Sequence, residues 1–350
     1  MSSPVFDDVH EKADGSPCPR SVVKVDKRAV DVAALFLQDF DGANEVELNA
    51  EEAEKLRRKI DWHLMPLMCI LYLMTFADKT TLGQSAVLGI HLEYRQSAHL
   101  DQTQFNWLGT VFYVAYLAFQ YPQGWALQHF PAAKWMCVNI VVWAIALLCH
   151  AACRSFGALL VVRIIMGVCE GAIASGFLLV TGMFYTRAEQ VERVGYWCSM
   201  NGVAAVLLGL MGFGVLHIHT SSFKPWQWLT TITGVLTLVV ALAFWIYFPD
   251  SPTSAWFLTP AERAAAVHRI RANQTGVENK VWKREQFVET LTDPKTWVFA
   301  LFSIVTQLLN SLTNQRQIIV NQFGFDTIDT TLVGCVDGVV QGMSHSLLET

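Results

Sequence analysis

Asp78 and Lys79 stand side by side inside an apolar stretch long enough to cross a bilayer, and Arg163 and Glu170 lie inside another, seven residues apart. Seven residues make two helical turns, so on a helix the second two point the same way. Charges inside a membrane are costly, and they usually face a protein interior or a polar cavity and carry ions or substrates. A buried carboxylate is driven toward its neutral form by desolvation and toward its charged form by a nearby cation. That balance suits Asp78 and Glu170 to carrying protons. Lys79 and Arg163 could hold a substrate carboxylate, Arg163 with bidentate geometry. The competing reading is a pair of structural salt bridges between helices; two embedded acid–base pairs in one chain favour transport.

Other positions carry weaker signals. Gln307, Asn310 and Asn314 are spaced three and four apart, which makes one polar stripe on an otherwise apolar helix. The stripe reads as a substrate-binding wall or as a hydrogen-bonded seam between helices. Gly167, Gly171 and Gly176, with Gly202, Gly209, Gly212 and Gly214, allow close helix packing. His63, His129, His150, His217 and His219 fall near segment ends and read as interfacial residues without a role. Trp62, Tyr94, Trp135, Tyr185, Trp226 and Trp228 read as interface anchors.

The elements that must position these residues are membrane helices. Of 350 residues 53% are hydrophobic and only 16% charged, against about 25% charged in a soluble domain. Mean hydropathy is +0.33. A net charge of −5 without a basic stripe gives no basis for nucleic-acid binding. The 8 cysteines form no CxxC or Cys/His spacing, so neither a metal site nor a disulfide framework is expected, and no cofactor is expected. No nucleophile elbow or phosphate loop is present, which argues against an enzyme. The N-terminal residues lack the apolar core of a signal peptide.

Residues 1–62 read as a polar tail ending in a short amphipathic helix over 46–62. Apolar segments follow at about 65–89, 106–128, 134–153, 157–184, 195–218 and 227–248, each near the roughly 20 residues a span requires. A polar stretch over 250–294 separates them from a seventh segment at about 296–319 and a weak eighth at about 331–343. Lys and Arg concentrate before the first segment, between the fourth and fifth, and in the long polar stretch, which places the N-terminus in the cytoplasm. Thr259-Pro260-Ala261-Glu262 is a capping box with Pro at the first helical position, opening a helix read as a solvated linker on the surface. The organisation is a tail over 1–62, a six-helix half over 63–249, a cytoplasmic loop over 250–294 and a shortened second half over 295–350.

Several stretches resemble the major facilitator superfamily, in particular the fungal allantoate permease branch of the anion:cation symporters. They are DKTTLGQSAVLGI (78–90), WLGTVFYVAYLAFQYPQGWALQHFPAAKW (107–135), RIIMGVCEG (163–171), RVGYWCSMNG (193–202), PWQWL (225–229), FPDSPTSAWFLTPAERAAAVHRIRANQTGVENK (248–280) and DPKTW (293–297). The resemblance implies an all-α integral membrane bundle of two six-helix halves with alternating access between them. It implies carboxylates in proton coupling, matching Asp78 and Glu170, and basic residues in anion binding, matching Lys79 and Arg163. The chain departs from the family pattern at Ser175, where Pro is usual, at Leu309 to Leu312, where a Pro and a Gly pair are usual, and in its length. SHSLLET is not expected to continue the eighth helix. The expected function is proton-coupled symport of a small organic anion, such as a ureide, vitamin or peptide carboxylate, across the plasma membrane, with the lipid bilayer as surroundings. The alternatives are a non-transporting remnant, a membrane sensor and an exporter of a secondary metabolite.

Overall fold

The computed structural model describes residues 49–90, 102–218, 223–271 and 284–348, and among these all regular structure is helical. The helices are α1 Ala50–Ser85, α2 Gln102–His129, α3 Ala132–Ala152, α4 Phe156–Phe184, α5 Arg187–Leu216, α6 Pro225–Tyr247, α7 Pro260–Arg271, α8 Arg284–Thr292, α9 Pro294–Gln322 and α10 Thr327–Leu348. Five of them, α1 and α3 to α6, are long and apolar enough to cross a membrane; α2, α9 and α10 are also long but less apolar.

The sequence separates an amphipathic helix over 46–62 from a first span. The structure instead shows one helix from Ala50, because nothing in Asp61-Trp62-His63-Leu64 breaks the hydrogen-bond ladder. The helix gives way to a π-helical turn, Ala86–Ile90, where Gly89 takes φ 101°, a left-handed conformation that glycine adopts without steric cost. At the far end of the chain, α10 runs through SHSLL to Leu348, contrary to the expectation from sequence.

Apolar surface alone does not drive helices together in lipid, so close packing at small residues and interhelical hydrogen bonds must do so. The glycines sit at these contacts. A Cβ on Gly167 would collide with the Phe112 carbonyl of α2, and one on Gly176 with the Met136 thioether of α3. On Gly209 it would lie 2.5 Å from Cys335 Sγ of α10. Gly214 has open space instead, so the packing expected of it is not seen. Gln123 of α2 ties three helices: its amide donates to Asn139 Oδ1 at 2.9 Å and to the Val168 carbonyl at 2.9 Å, and its oxygen accepts from Trp135 Nε1 at 2.8 Å. Ser175 accepts from Gln120 Nε2 at 2.6 Å, and α4 continues through it unbroken, which a proline would have disturbed. Thr75, Thr81 and Thr181 bond back to carbonyls one turn earlier and so bury their hydroxyls satisfied.

The capping box opening α7 is formed: Thr259 N–H donates to Glu262 Oε2 at 2.8 Å and Glu262 N–H to Thr259 Oγ1 at 3.3 Å. The helix is not a solvated linker, however. Ala264, Ala265, Ala266, Val267 and Ile270 are all buried against the core. Lys59 reaches Glu262 at 2.7 Å, and Arg269 reaches Glu189 at 3.4 Å and the Phe184 carbonyl at 3.2 Å. The three consecutive alanines spread over about 200° of the helix and are all buried, so α7 is packed on more than one side although its sequence pattern looks polar. Tyr185 and Trp226 are also buried, so they are core residues, whereas Trp62, 80% exposed, keeps the surface position expected of an anchor.

Candidate functional site

The four membrane charges converge from α1 and α4. Lys79 Nζ lies 2.7 Å from Glu170 Oε1, with Glu170 1% exposed and Lys79 28%. The pairing therefore runs across helices. Adjacent residues on a helix diverge by about 100°, so Lys79 cannot share a direction with Asp78. Lys79 also sits 5.9 Å above the Tyr116 ring of α2, a cation–π distance.

Asp78 turns the other way, into the buried interior. Its Oδ2 accepts from Trp143 Nε1 of α3 at 2.8 Å, and its Oδ1 has no hydrogen-bond partner among the described residues. Arg163, 3% exposed, lies within electrostatic range of both carboxylates, and its Nε and Nη2 have no hydrogen-bond partner among the described residues. Such groups are expensive to bury unmatched, so this cluster stores unused hydrogen-bonding capacity.

Lys79 and Arg163 share the wall of a cavity of about 190 Å³, completed by Asn106, Thr110 and Tyr113 of α2 and by Ile318 of α9. That is smaller than the roughly 300–1,000 Å³ of a typical ligand pocket. The polar α2 residues on this wall escape sequence reasoning because an exposed Asn or Thr near a segment end carries no signal of its own. Trp143 also escapes it; as an aromatic in an apolar run it reads as core. His150 is fully buried rather than interfacial, with both ring nitrogens unpartnered among the described residues and the Arg163 charge nearby. The side chains of Gln307, Asn310 and Asn314 lie outside the described residues. Among the described residues no three His, Cys, Asp or Glu side chains converge as a metal site would require.

Membrane-length helices that bury a balanced charge cluster beside a small cavity are the arrangement expected inside a membrane transport protein. The chain belongs to the Major Facilitator Superfamily, which matches residues 68–346. It is 34% identical to the thiamine pathway transporter THI73 of Saccharomyces cerevisiae, over 98% of this chain and 68% of that protein. It is also 34% identical to the allantoate permease of the same yeast, over 85% of this chain and 55% of that protein. The high affinity cysteine transporter of that yeast is 28% identical over 89% of this chain and 58% of its own length. The chain thus spans between about half and two thirds of these relatives. The fold resembles the proton:xylose symporter XylE, with TM-score 0.63 and 12% identity over 82% of this chain and 68% of that one. A bacterial homologue of the human lysosomal transporter Spinster gives 0.59 and 16% over 79% and 59%.

Proposed function

We propose that this chain carries the coupling site of a proton-driven symporter for a small organic anion, in the plasma membrane, with the α7 side in the cytoplasm. The observation that supports this reading most directly is Arg163: a buried guanidinium with idle donors, on the same cavity wall as Lys79. A carboxylate entering the cavity would satisfy both.

Charge balance then argues for the proton. Asp78 and Glu170 against Lys79 and Arg163 sum to zero, so a bound monoanion leaves one uncompensated negative charge in a low-dielectric site. One proton restores neutrality. Taken up on Glu170, it frees Lys79 from its 2.7 Å contact and lets that ammonium join Arg163 on the substrate. Release on the other side reverses both steps, and the alternation of two conformations supplies the transport cycle. The same reading extends substrate contact to the sequence stripe of Gln307, Asn310 and Asn314. Likeness to the allantoate permease makes allantoate, a ureido carboxylate, the first substrate to try.

The test is uptake of radiolabelled allantoate by the chain in a yeast host lacking its own permease, at several external pH values. Uptake should rise as the medium is acidified. Asp78→Asn and Glu170→Gln should abolish accumulation against a gradient; accumulation that survives either change removes that residue from the coupling scheme.

A further inference from the structure

We propose that Trp143 is a positioning residue for Asp78, the second carboxyl of the coupling site: its indole N–H fixes Asp78 and sets the pH at which that carboxyl takes up a proton. The inference rests on the reading of Asp78 as a coupling group. Trp143 lies on α3, which also brings the buried His150 near Arg163, and both Trp143 and Asp78 are essentially unexposed. Its Nε1 donates to Asp78 Oδ2 at 2.8 Å, while Oδ1 has no partner among the described residues. The indole is therefore the hydrogen-bond donor that the described structure offers this carboxyl. Indole is a donor only, so it can bond an ionised carboxylate but never accept from a protonated one. It also has no charge of its own to titrate, so it biases Asp78 by a fixed amount at every pH. The charged groups facing Asp78 are Lys79 on α1 and Arg163 and Glu170 on α4. The two cations favour the ionised form and Glu170 opposes it. Lys79 is already engaged by Glu170, which leaves Trp143 and Arg163 to hold Asp78.

Removing a donor to a charged acceptor should let Asp78 hold its proton to higher pH, by about one to two pH units for a bond of ordinary strength. The experiment is an infrared pH titration of the chain in lipid vesicles, following the carboxylic C=O stretch. Asp78→Asn identifies the Asp78 band by its loss. Trp143→Phe removes the N–H. A second replacement, Trp143 by benzothienylalanine through nonsense suppression, exchanges only N–H for sulfur and keeps the packing, in case the phenylalanine variant folds poorly. The expected result is the Asp78 band appearing about one to two pH units higher in both variants, with allantoate uptake shifting its pH dependence in the same direction. A band that stays in place in the isosteric variant overturns the role of Trp143 and leaves Asp78 as a coupling group intact. If Asp78→Asn removes no titrating band, the reading of Asp78 itself fails and takes this inference with it.

Discussion

Asp61→Asn probes the clasp that closes the α7 side of the bundle. Arg193 of α5 meets Asp61 of α1 through two bonds, Nε to Oδ1 at 3.2 Å and Nη2 to Oδ2 at 2.8 Å. The guanidinium is only 4% exposed and the carboxylate 26%, so the pair is held largely out of solvent. Arg193 also touches Glu192 and stacks 5.3 Å from the Tyr185 ring, which keeps it in place when Asp61 changes. Asparagine preserves the shape but presents one oxygen and one NH₂ to a group that only donates. One charge-assisted bond is lost and a donor faces a donor, for a cost of about 2 kcal/mol. At roughly 2 °C of melting temperature per kcal/mol for a chain of this size, the loss should be about 4 °C.

The assay is thermal melting of the purified protein in detergent, followed by tryptophan fluorescence, for Asp61→Asn, Arg193→Met and the double variant. Arg193→Met leaves a carboxylate that is a quarter exposed and can hydrate, so its cost should be similar. The double variant should lose less than the two single variants combined, by about 1–2 kcal/mol of coupling. Strict additivity, or an Asp61→Asn protein that melts with the wild type, would refute the assignment of stability to this contact.

Three further outcomes follow from the packing. Gly167→Leu should abolish a monodisperse, folded product on size exclusion, since even a Cβ there meets the Phe112 backbone carbonyl, which cannot swing aside. Gly209→Cys should form a disulfide with Cys335 under mild oxidation, seen as a linked peptide by mass spectrometry, since the added Cβ, 2.5 Å from that sulfur, needs only a small shift of the Cys335 side chain to reach bonding geometry; absence of the link in folded protein would separate α5 from α10. For Glu262, partial burial pushes the carboxyl up, but the Lys59 and Thr259 donors outweigh it and hold it below its ordinary 4.5. Its share of stability is therefore present above pH 4.5 and lost as pH falls through the lowered value. Glu262→Gln should cost about 1–2 °C of melting temperature at neutral pH, since exposed pairs are weak, and nothing in strong acid.

The helices were legible because each span is a long apolar run closed by turn chemistry, and Lys, Arg, Asp and Glu stand out against it. The four charges were legible for the same reason: desolvation makes any charge in such a run conspicuous. What was hidden depends on direction around the helix axis. Trp143, Tyr185, Trp226 and His150 have ordinary types for their places, and only the packing decides whether they face lipid or core. The burial of α7 was hidden because its contact face is built from alanines, which carry little hydrophobic signal, and because Lys59 and Glu262 meet across 203 positions of sequence.

The adjacency of Asp78 and Lys79 shows the consequence most directly. As neighbours in sequence they look like one pair, yet the helix turns them about 100° apart. Lys79 keeps 28% exposure at the cavity wall, against Glu170, while Asp78 is sealed against an indole. A solute in the cavity meets Lys79 and Arg163 directly and can reach Asp78 only through the field of Arg163. On the proposed cycle this divides the labour: Glu170 exchanges its cation for a proton at the cavity wall, and Asp78 tunes Arg163 from behind. Glu170→Gln should then weaken allantoate binding and its pH dependence together, whereas Asp78→Asn should change the grip of Arg163 without freeing Lys79. Binding titrations of the two variants over pH separate these behaviours, and identical profiles would show that the two carboxylates act as one group.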